Sequence, residues 1–322
     1  MPLRIVFCGT PAFALPTFRH LLAQPDFKLE GVVTQPDRPR GRGHSLASSP
    51  VKDAATAAQI PVYQPQKIRD EEGLQYFQRL APDVVVIIAY GQIIPQRLIE
   101  IPRLGWINLH ASLLPKYRGA APIHWAVANG ETRTGLTTMR IDAGLDTGPM
   151  LLKYETRIGA DETSPDLHAR LAEAGAPLMA ETLRGLENGS LTPVPQDSSL
   201  ATLAPPLKKE DGRIDWSFPA QKVYDRMRGF KPWPGTFSSF RGKMCQLWGR
   251  PMDGEAGSGG GRRALSEKIG GSLFESGHRL FAACGTGTML EIESIRIEGK
   301  KRMATRDFLN GAHIQAGERF GD

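Results

Sequence analysis

The spacing of apolar and polar positions divides the chain into two stretches of different rhythm. Up to about residue 155, short β-branched runs alternate with segments of helical period. Arg4–Phe7 is an apolar run ending at Gly9, and Pro11 to Ala23 follows with helical spacing. Leu29–Val33 is a second run and Val51–Gln59 an Ala-rich helical one. Asp83–Ala89 (DVVVIIA) is apolar throughout, as expected of a strand buried on both faces of a parallel sheet. Gly105–His110 and Gly135–Ile141 read as later strands, with Ala120–Asn129 a helix between them. Such alternation with short links predicts an α/β domain: a Rossmann-like, mainly parallel sheet with helices on both faces.

Pro165 to Leu186 is amphipathic and predicts a long helix. After it the rhythm changes. Glu187–Leu207 is rich in Pro, Ser and Thr and reads as a connection. Beyond it, short strand-like pieces (CQLW, SLFE, LFAAC, MLEIESIRI) alternate with Gly-rich turns. That pattern predicts a small β-barrel or sandwich, OB-like in kind. Gly254–Gly261 is nearly all small residues and reads as a flexible surface loop. The expected division is an α/β domain over 1–188, a linker over 189–207 and a C-terminal β-barrel over 208–322.

Composition narrows the class. With 322 residues, 40% hydrophobic and 23% charged, the chain falls in the ordinary globular range. No apolar run reaches the roughly 18 residues of a membrane span. MPLRIVFCGTP meets a turn before any apolar stretch of signal-peptide length, so a cytoplasmic location is expected. Cys8, Cys245 and Cys284 are odd in number, far apart and outside any C-x-x-C pair. That argues against a disulfide framework and a structural zinc, and buried thiols are expected instead. The net charge of +6 is unevenly held: from Lys208 onward 20 Lys and Arg face 14 Asp and Glu, leaving 20 of each in residues 1–207. One-sided basicity suits a polyanion such as nucleic acid, and a basic surface kept for solubility accounts for it equally.

In an open α/β sheet, ligands bind beyond the carboxyl ends of the strands, so the turns after Phe7, Ala89 and Leu109 are the places to search. The first, CGTP, is not the G-x-G-x-x-G dinucleotide fingerprint, and no phosphate loop of the G-x-x-x-x-G-K-[ST] kind occurs. The third carries chemistry. Asn108 and His110 lie two apart at a strand end and so project the same way. An Asn amide can donate to a developing oxyanion, and a His can donate or move a proton near neutral pH. Alone, this pair is a weak signal, because a histidine at a strand end is more often structural. The string that begins at the histidine is unusual: His110-Ala111-Ser112-Leu113-Leu114-Pro115-Lys116-Tyr117-Arg118-Gly119, with a Pro where a strand must stop and a Gly just before a helix.

This string resembles the H-x-S-L-L-P-x-x-R-G signature of the 10-formyltetrahydrofolate-dependent formyltransferases. The resemblance implies that Asn108 and His110 are catalytic. It also implies a third catalytic residue, Asp146, in the loop Asp142-Ala143-Gly144-Leu145-Asp146-Thr147-Gly148, which matches the family's D-x-G-x-D-T-G. Without the resemblance, Asp146 would pass for a turn aspartate capping its own loop. The chemistry calls for such a trio: an amine attacks the formyl carbon, the carbonyl oxygen gains charge and the amine loses a proton. On this reading Asn108 and a protonated His110 stabilise the oxyanion, and Asp146 against His110 helps pass the proton. The co-substrate implied is 10-formyltetrahydrofolate, with no metal. Ala89-Tyr90-Gly91-Gln92-Ile93-Ile94-Pro95 is similar to the family's pterin-binding segment, which implies folate contacts at Tyr90, Gly91 and Ile93. Ser112, Leu113, Leu114, Pro115 and Asp142 complete the implied pocket.

Four features resemble the branch of the family that formylates initiator methionyl-tRNA for translation initiation. They are Phe7-Cys8-Gly9-Thr10-Pro11, the loop Thr34 to Gly43 (TQPDRPRGRG), Arg118 to Ile123 (RGAAPI), and the tail segments Ile214-Asp215-Trp216-Ser217 and Lys231-Pro232-Trp233-Pro234. The resemblance implies that the loop enters the acceptor stem and that Arg42 serves tRNA discrimination. Arg38, Arg40 and Arg42 can reach phosphates bidentately. Lys208, Lys209, Lys300, Lys301 and Arg302 offer a second phosphate-tracking surface. A monomer is expected. The departures are Cys8 for the usual Ala, Ala111 for Gly, and Lys116-Tyr117 where Arg-Trp is common. Lys-Tyr also occurs in nucleotide-sugar members, so a UDP-amino-sugar formyltransferase is the alternative. A non-catalytic RNA-binding protein on a retired enzyme fold is a third reading, opposed by the intact Asn108, His110 and Asp146.

Overall fold

Period-two apolar runs become strands here, and the helices between them cover the two faces those strands present. The structure is a computed structural model and describes residues 1–40, 45–252 and 269–322. Arg42 and the Gly254–Gly261 stretch lie outside the described residues. The chain separates into two compact units. The first holds Met1–Pro122, Arg133–Arg157 and Asp166–Pro205; the second holds Ile123–Thr132, Ile158–Pro165 and Pro206–Asp322.

In chain order the first elements are β1 (Leu3–Gly9), α1 (Leu15–Leu22), β2 (Phe27–Val33), β3 (Arg38–Arg40), β4 (Ser45–Ala47), α2 (Pro50–Ala57) and β5 (Val62–Tyr63). Then come α3 (Glu71–Leu80), β6 (Val84–Ile88), α4 (Gln96–Ile99), β7 (Trp106–His110), α5 (Pro122–Ala128), β8 (Arg133–Arg140), β9 (Met150–Arg157) and α6 (Ser164–Glu187). The seven-stranded sheet of the first unit runs β5-β2-β1-β6-β7-β8-β9. Its ladders from β5 to β7 are parallel, and β8 pairs antiparallel with both β7 and β9. The chain builds outward from β1 to β2 and β5, then returns to add β6 on the other side of β1. That reversal places a topological switch point between β1 and β6, where open α/β sheets form a crevice.

Alternation along the strands sorts the core into two layers. Val6, Cys8, Val33, Val85, Ile87 and Trp106 pack with Tyr76 and Phe77 of α3. The opposite face sets Phe7 against Phe18 of α1, with ring centroids 5.4 Å apart. On that face too, a Cβ on Gly175 of α6 would lie 2.4 Å from Leu109. The mainly parallel, helix-covered sheet is therefore as the strand pattern predicts. Elements beyond those expected are the short β3, β4, β5 and α4, the helix α3, and β9, which alternates with charged positions.

The second unit contains α7 (Ala220–Gly229), β10 (Phe237–Phe240), β11 (Lys243–Pro251), β12 (Leu273–Ser276), β13 (Arg279–Ala283), β14 (Met289–Ile297), β15 (Met303–Ala304) and α8 (Thr305–Ala312). Its strands pair antiparallel in the order β10-β11-β14-β13-β12, with β15 on β14. Opposite Trp248 and Gly249, Glu293 is the extra residue of a bulge in β14, which bends that strand against β11. Among the described residues no ladder joins β12 to β10, so the barrel-like sheet stays open there. Its core includes Trp216, Val223, Met227, Leu247, Leu290, Ile292 and Phe308, with Trp216 stacked on Phe320 at 5.5 Å.

All three thiols are free and buried. Burial raises the Cys8 thiol well above its ordinary value and pushes Cys245 and Cys284 up to about 12. Such thiols pack as small apolar groups and do not act as nucleophiles. Among the described residues no helix is long and apolar enough to cross a membrane, and no cluster of His, Cys, Asp and Glu could hold a metal ion.

Candidate active site

Strand β7 turns Trp106, Asn108 and His110 to one face, and it stops because Pro115 and the turns before it cannot continue a ladder. Asn108 is half-buried, and His110 is 5% exposed. The His110 ring is held from two sides. Its Nε2 lies 2.9 Å from the backbone oxygen of Tyr117. A carbonyl only accepts, so Nε2 carries a proton and Nδ1 is the nitrogen whose protonation can change. Nδ1 faces Asp146 Oδ2 at 3.6 Å. The same carboxylate oxygen accepts from the Gly119 backbone N–H at 2.8 Å.

The hairpin geometry explains how Asp146 reaches this place. Arg140 is opposite Ile107, and the Ile141 N–H donates to Trp106 O at 2.8 Å. The 142–148 loop therefore leaves near the start of β7 and must fold back along that strand to deliver Asp146 to His110. Asp142 shapes it: Oδ1 accepts from Gly144 N at 3.0 Å and from Thr147 Oγ1 at 2.7 Å. Asp146 itself has φ +51°, the left-handed region that Asp tolerates better than most residues. Tyr117 also sits there, at φ +61°, which turns its carbonyl toward His110.

The loop after β7 is braced from within. Ser112 Oγ donates to Lys116 O at 2.6 Å. Thr137 of β8 donates to Ser112 O at 2.7 Å and accepts from Leu114 N at 3.1 Å. Lys153 of β9 donates to Leu114 O at 2.7 Å. The Leu114–Pro115 peptide is cis. Ser112 and Leu114 are buried, while Leu113 and Pro115 are half-buried. The expected folate residues of this stretch thus divide, with Ser112 and Leu114 holding the loop together.

The parallel β6–β7 register brings the loop after β6 beside this one. There Gly91 has φ +84°, and Ile93 is 84% exposed. Gln92 ties the segment down by accepting from Ile68 N at 2.7 Å and donating to Pro65 O at 3.2 Å. Gln35 Nε2 donates to Tyr90 O at 3.0 Å. The Tyr90 ring is buried, its hydroxyl has no partner among the described residues, and burial raises its pKa strongly. An exposed apolar side chain beside backbone groups at positive φ suits a flat heterocycle read along its edge.

The basic residues are spread more widely. Arg38 is exposed at the start of β3, whose partner is β4. In the second unit, Lys208, Lys209, Lys300, Lys301 and Arg302 are all exposed. Arg302 is partly committed, with Nε donating to Ser294 Oγ at 2.9 Å and its guanidinium 4.0 Å from the Trp248 ring centroid.

Sequence reasoning missed the groups that act through the backbone: Tyr117 O, Gly119 N–H and the Thr137 hydroxyl. It also read 189–207 as a linker, whereas residues up to Pro205 fall in the first unit and touch the site. Tyr117 N donates to Thr202 Oγ1 at 2.8 Å, Arg118 N to Thr202 O at 2.8 Å, and Ala204 N to Arg118 O at 2.7 Å. Composition rich in Pro, Ser and Thr does not distinguish a free connection from a segment pinned by such bonds.

Comparison with known proteins identifies the family. The family model described as formyl transferase matches residues 3–183, and that of the formyl transferase C-terminal domain matches residues 206–313. A methionyl-tRNA formyltransferase of Solibacter usitatus is 49% identical over 321 residues, covering 99% of both chains. One from Koribacter versatilis is 51% identical over 320 residues, covering 98% of both. Among solved structures, WlaRD, a sugar 3N-formyl transferase, superposes with a TM-score of 0.66 at 16% identity, covering 94% of this chain and 100% of its own. At that identity the likeness concerns the fold.

Proposed function

The chain belongs to the formyl transferase family, and from that premise we propose that it transfers the formyl group of 10-formyltetrahydrofolate to the free amino group of initiator methionyl-tRNA. The observation that carries the acceptor is identity of about half, over the whole length, to relatives that bear the name methionyl-tRNA formyltransferase. The TQPDRPRGRG loop and the basic excess after Lys208 support the same acceptor.

In this reading the folate lies against the loops after β6 and β7, with Gly91 offering backbone groups and Ile93 and Leu113 apolar surface. Asn108 donates to the formyl oxygen as that oxygen gains negative charge. A good donor of this type is worth about 3–4 kcal/mol in the barrier. His110 donates Nε2–H to Tyr117 O, so its changeable nitrogen, Nδ1, belongs to a pair with Asp146. That pair takes the proton the attacking amine must lose and passes it to the folate nitrogen as the carbon–nitrogen bond to that nitrogen breaks. The amine gains the formyl group and loses one proton; the folate loses the formyl group and gains one. The oxyanion then depends chiefly on Asn108 rather than on both residues.

Arg38, Arg40 and Arg42 would approach the acceptor stem, and Lys208, Lys209, Lys300, Lys301 and Arg302 would also meet tRNA phosphates. Aminoacylated initiator tRNA is a cytoplasmic substrate, so the reading places the enzyme there, acting as a monomer. A UDP-amino-sugar acceptor is the second reading, favoured by the Lys116-Tyr117 dipeptide. One assay separates them: purified protein with 10-formyltetrahydrofolate and either methionyl-tRNA or a UDP-amino sugar. Formylation of the tRNA is the expected result. Formylation of the sugar alone selects the second reading, and no product from either overturns both.

A further inference from the structure

Outside the trio, the side chain most deeply wired into the site is Gln196, in the middle of the segment that sequence composition marks as a linker. Its carboxamide is fully used. Oε1 accepts from Arg118 Nε at 3.0 Å and from Arg118 Nη2 at 2.8 Å. Nε2 donates to Asp146 O and to Gly148 O, each at 2.8 Å. The partners leave one orientation for the amide, since a guanidinium only donates and carbonyls only accept. Arg118 is buried, at 7% exposure, so its charge needs such a partner.

The segment around Gln196 is anchored at both ends. Val194 and Met150 exchange two backbone hydrogen bonds of 2.8 Å. Thr202 and Ala204 pair with Tyr117, Arg118 and Ala121 as a short irregular ladder. Residues 194–204 thus form a strap across the two loops that deliver His110's backbone partner and Asp146.

These bonds close a ring of contacts. Tyr117 O holds His110 Nε2, Gly119 N–H holds Asp146 Oδ2, and Arg118 between them is held by the amide that also holds the Asp146 backbone. Asp146 has a left-handed backbone conformation, unfavourable for an L-residue, so its loop needs ties from outside to stay in place. We propose that Gln196 is a positioning residue for formyl transfer, fixing the spacing between His110 and Asp146 by joining Arg118 to the 142–148 loop. The inference rests on the formyl-transfer reading for its kinetic consequence, and on geometry alone for the contact itself.

Two substitutions isolate the effect. Gln196→Glu keeps an acceptor for Arg118 but cannot donate to Asp146 O or Gly148 O. Gln196→Met keeps the length of the side chain and removes both arms. Turnover per folded molecule is expected to fall by about 10–100-fold in both, the scale of a misplaced reacting group. KM for methionyl-tRNA and for 10-formyltetrahydrofolate should stay within about twofold, because the Gln196 amide is spent on bonds to Arg118, Asp146 O and Gly148 O. The His110 ring signal in a spectrum of histidine-labelled protein is expected to move in both variants. Wild-type turnover in Gln196→Glu, a loss confined to KM, or an unmoved His110 signal overturns the proposal. If the unaltered protein formylates no amine, the functional reading fails, and the His110 signal still decides whether Gln196 sets that contact.

Discussion

Replacing Gly119 by alanine probes the geometry behind Asp146 without touching a catalytic side chain. Gly119 has φ +121°, outside the regions open to L-residues, and holding alanine there costs about 1–3 kcal/mol. The added Cβ would lie 2.7 Å from Ala204 O and 3.2 Å from Ala204 C. Ala204 is not free to yield, since its oxygen accepts from Ala121 N at 3.1 Å and its N–H donates to Arg118 O at 2.7 Å. Relieving the overlap therefore loses at least one backbone bond, about 0.5–1.5 kcal/mol more. Together the cost is about 2–4 kcal/mol. At about 2–4 °C per kcal/mol, the unfolding midpoint of the unit that holds Gly119 should fall by about 5–15 °C. The Gly119 N–H that holds Asp146 Oδ2 at 2.8 Å moves with the strain, so turnover at saturating substrates should fall by about 10–100-fold. Gly105→Ala is the matched control: its φ is +84°, and nothing lies within 4 Å of the added carbon. It should cost about 1–2 kcal/mol and leave turnover alone. Equal losses for the two variants, or a Gly119→Ala protein with unaltered midpoint and turnover, would refute the steric reasoning.

Three further outcomes are expected of the same structure. Asp146→Asn should cut turnover by about 10²–10⁴-fold, the range for a lost acid–base group, while folate binding measured by calorimetry stays within about twofold; near-normal transfer would remove Asp146 from the mechanism. His168 of α6 is half-buried against Phe13, with ring centroids 4.9 Å apart, and burial lowers its pKa below the ordinary value of 6.5. The unfolded chain therefore binds more protons near that value, so this contribution is present above about pH 6.5 and is lost as pH falls through the folded pKa; His168→Gln should shrink the drop in midpoint from about pH 7.5 to about pH 5.5, and an unchanged drop would discount the site. Affinity for methionyl-tRNA should fall steeply with salt, and Lys300→Ala with Lys301→Ala should flatten the log–log slope by about one to two; an identical slope would mean that these lysines meet no phosphate.

How much was legible in the sequence depends on which atoms do the work. Strands β1, β6 and β7 stand close to where their apolar runs predict them, because burial on both faces forces nearly continuous apolar sequence, whereas β14 shows through the alternation of a strand buried mainly on one face. Asn108 and His110 could be paired because strand alternation is a local rule. The antiparallel sense of β8 was not readable in that way. Its apolar run is compatible with either direction, and only its pairing with β7, Ile107 opposite Arg140 and His110 opposite Thr137, fixes the sense. α3, by contrast, was legible and not read: its Leu74, Tyr76, Phe77 and Leu80 recur at helical spacing, and Tyr76 and Phe77 are buried.

The contact between Asp146 and His110 shows why the remainder of the site stays hidden. Both side chains are held by backbone groups of other residues: His110 Nε2 by Tyr117 O and Asp146 Oδ2 by Gly119 N–H, with Gln196 holding the Asp146 backbone. Backbone groups are the same in every residue, so a sequence reports them only through exceptions such as a glycine at positive φ or a bulky residue forced into that region. Gly119 is such an exception and was visible within the motif. Tyr117 is another, yet a tyrosine gives no sign that it adopts a left-handed backbone. Gln196 lies about fifty residues downstream of the loop it holds, in a stretch whose Pro and Ser content denotes only the absence of regular structure. The chemistry of this site is thus written in side chains that can be read in order, and its geometry in hydrogen bonds between segments whose pairing only the fold decides. Substitutions in the 194–204 strap should for that reason alter turnover with little change in the motif residues, and variation there is as informative about activity as variation in the H-x-S-L-L-P-x-x-R-G string.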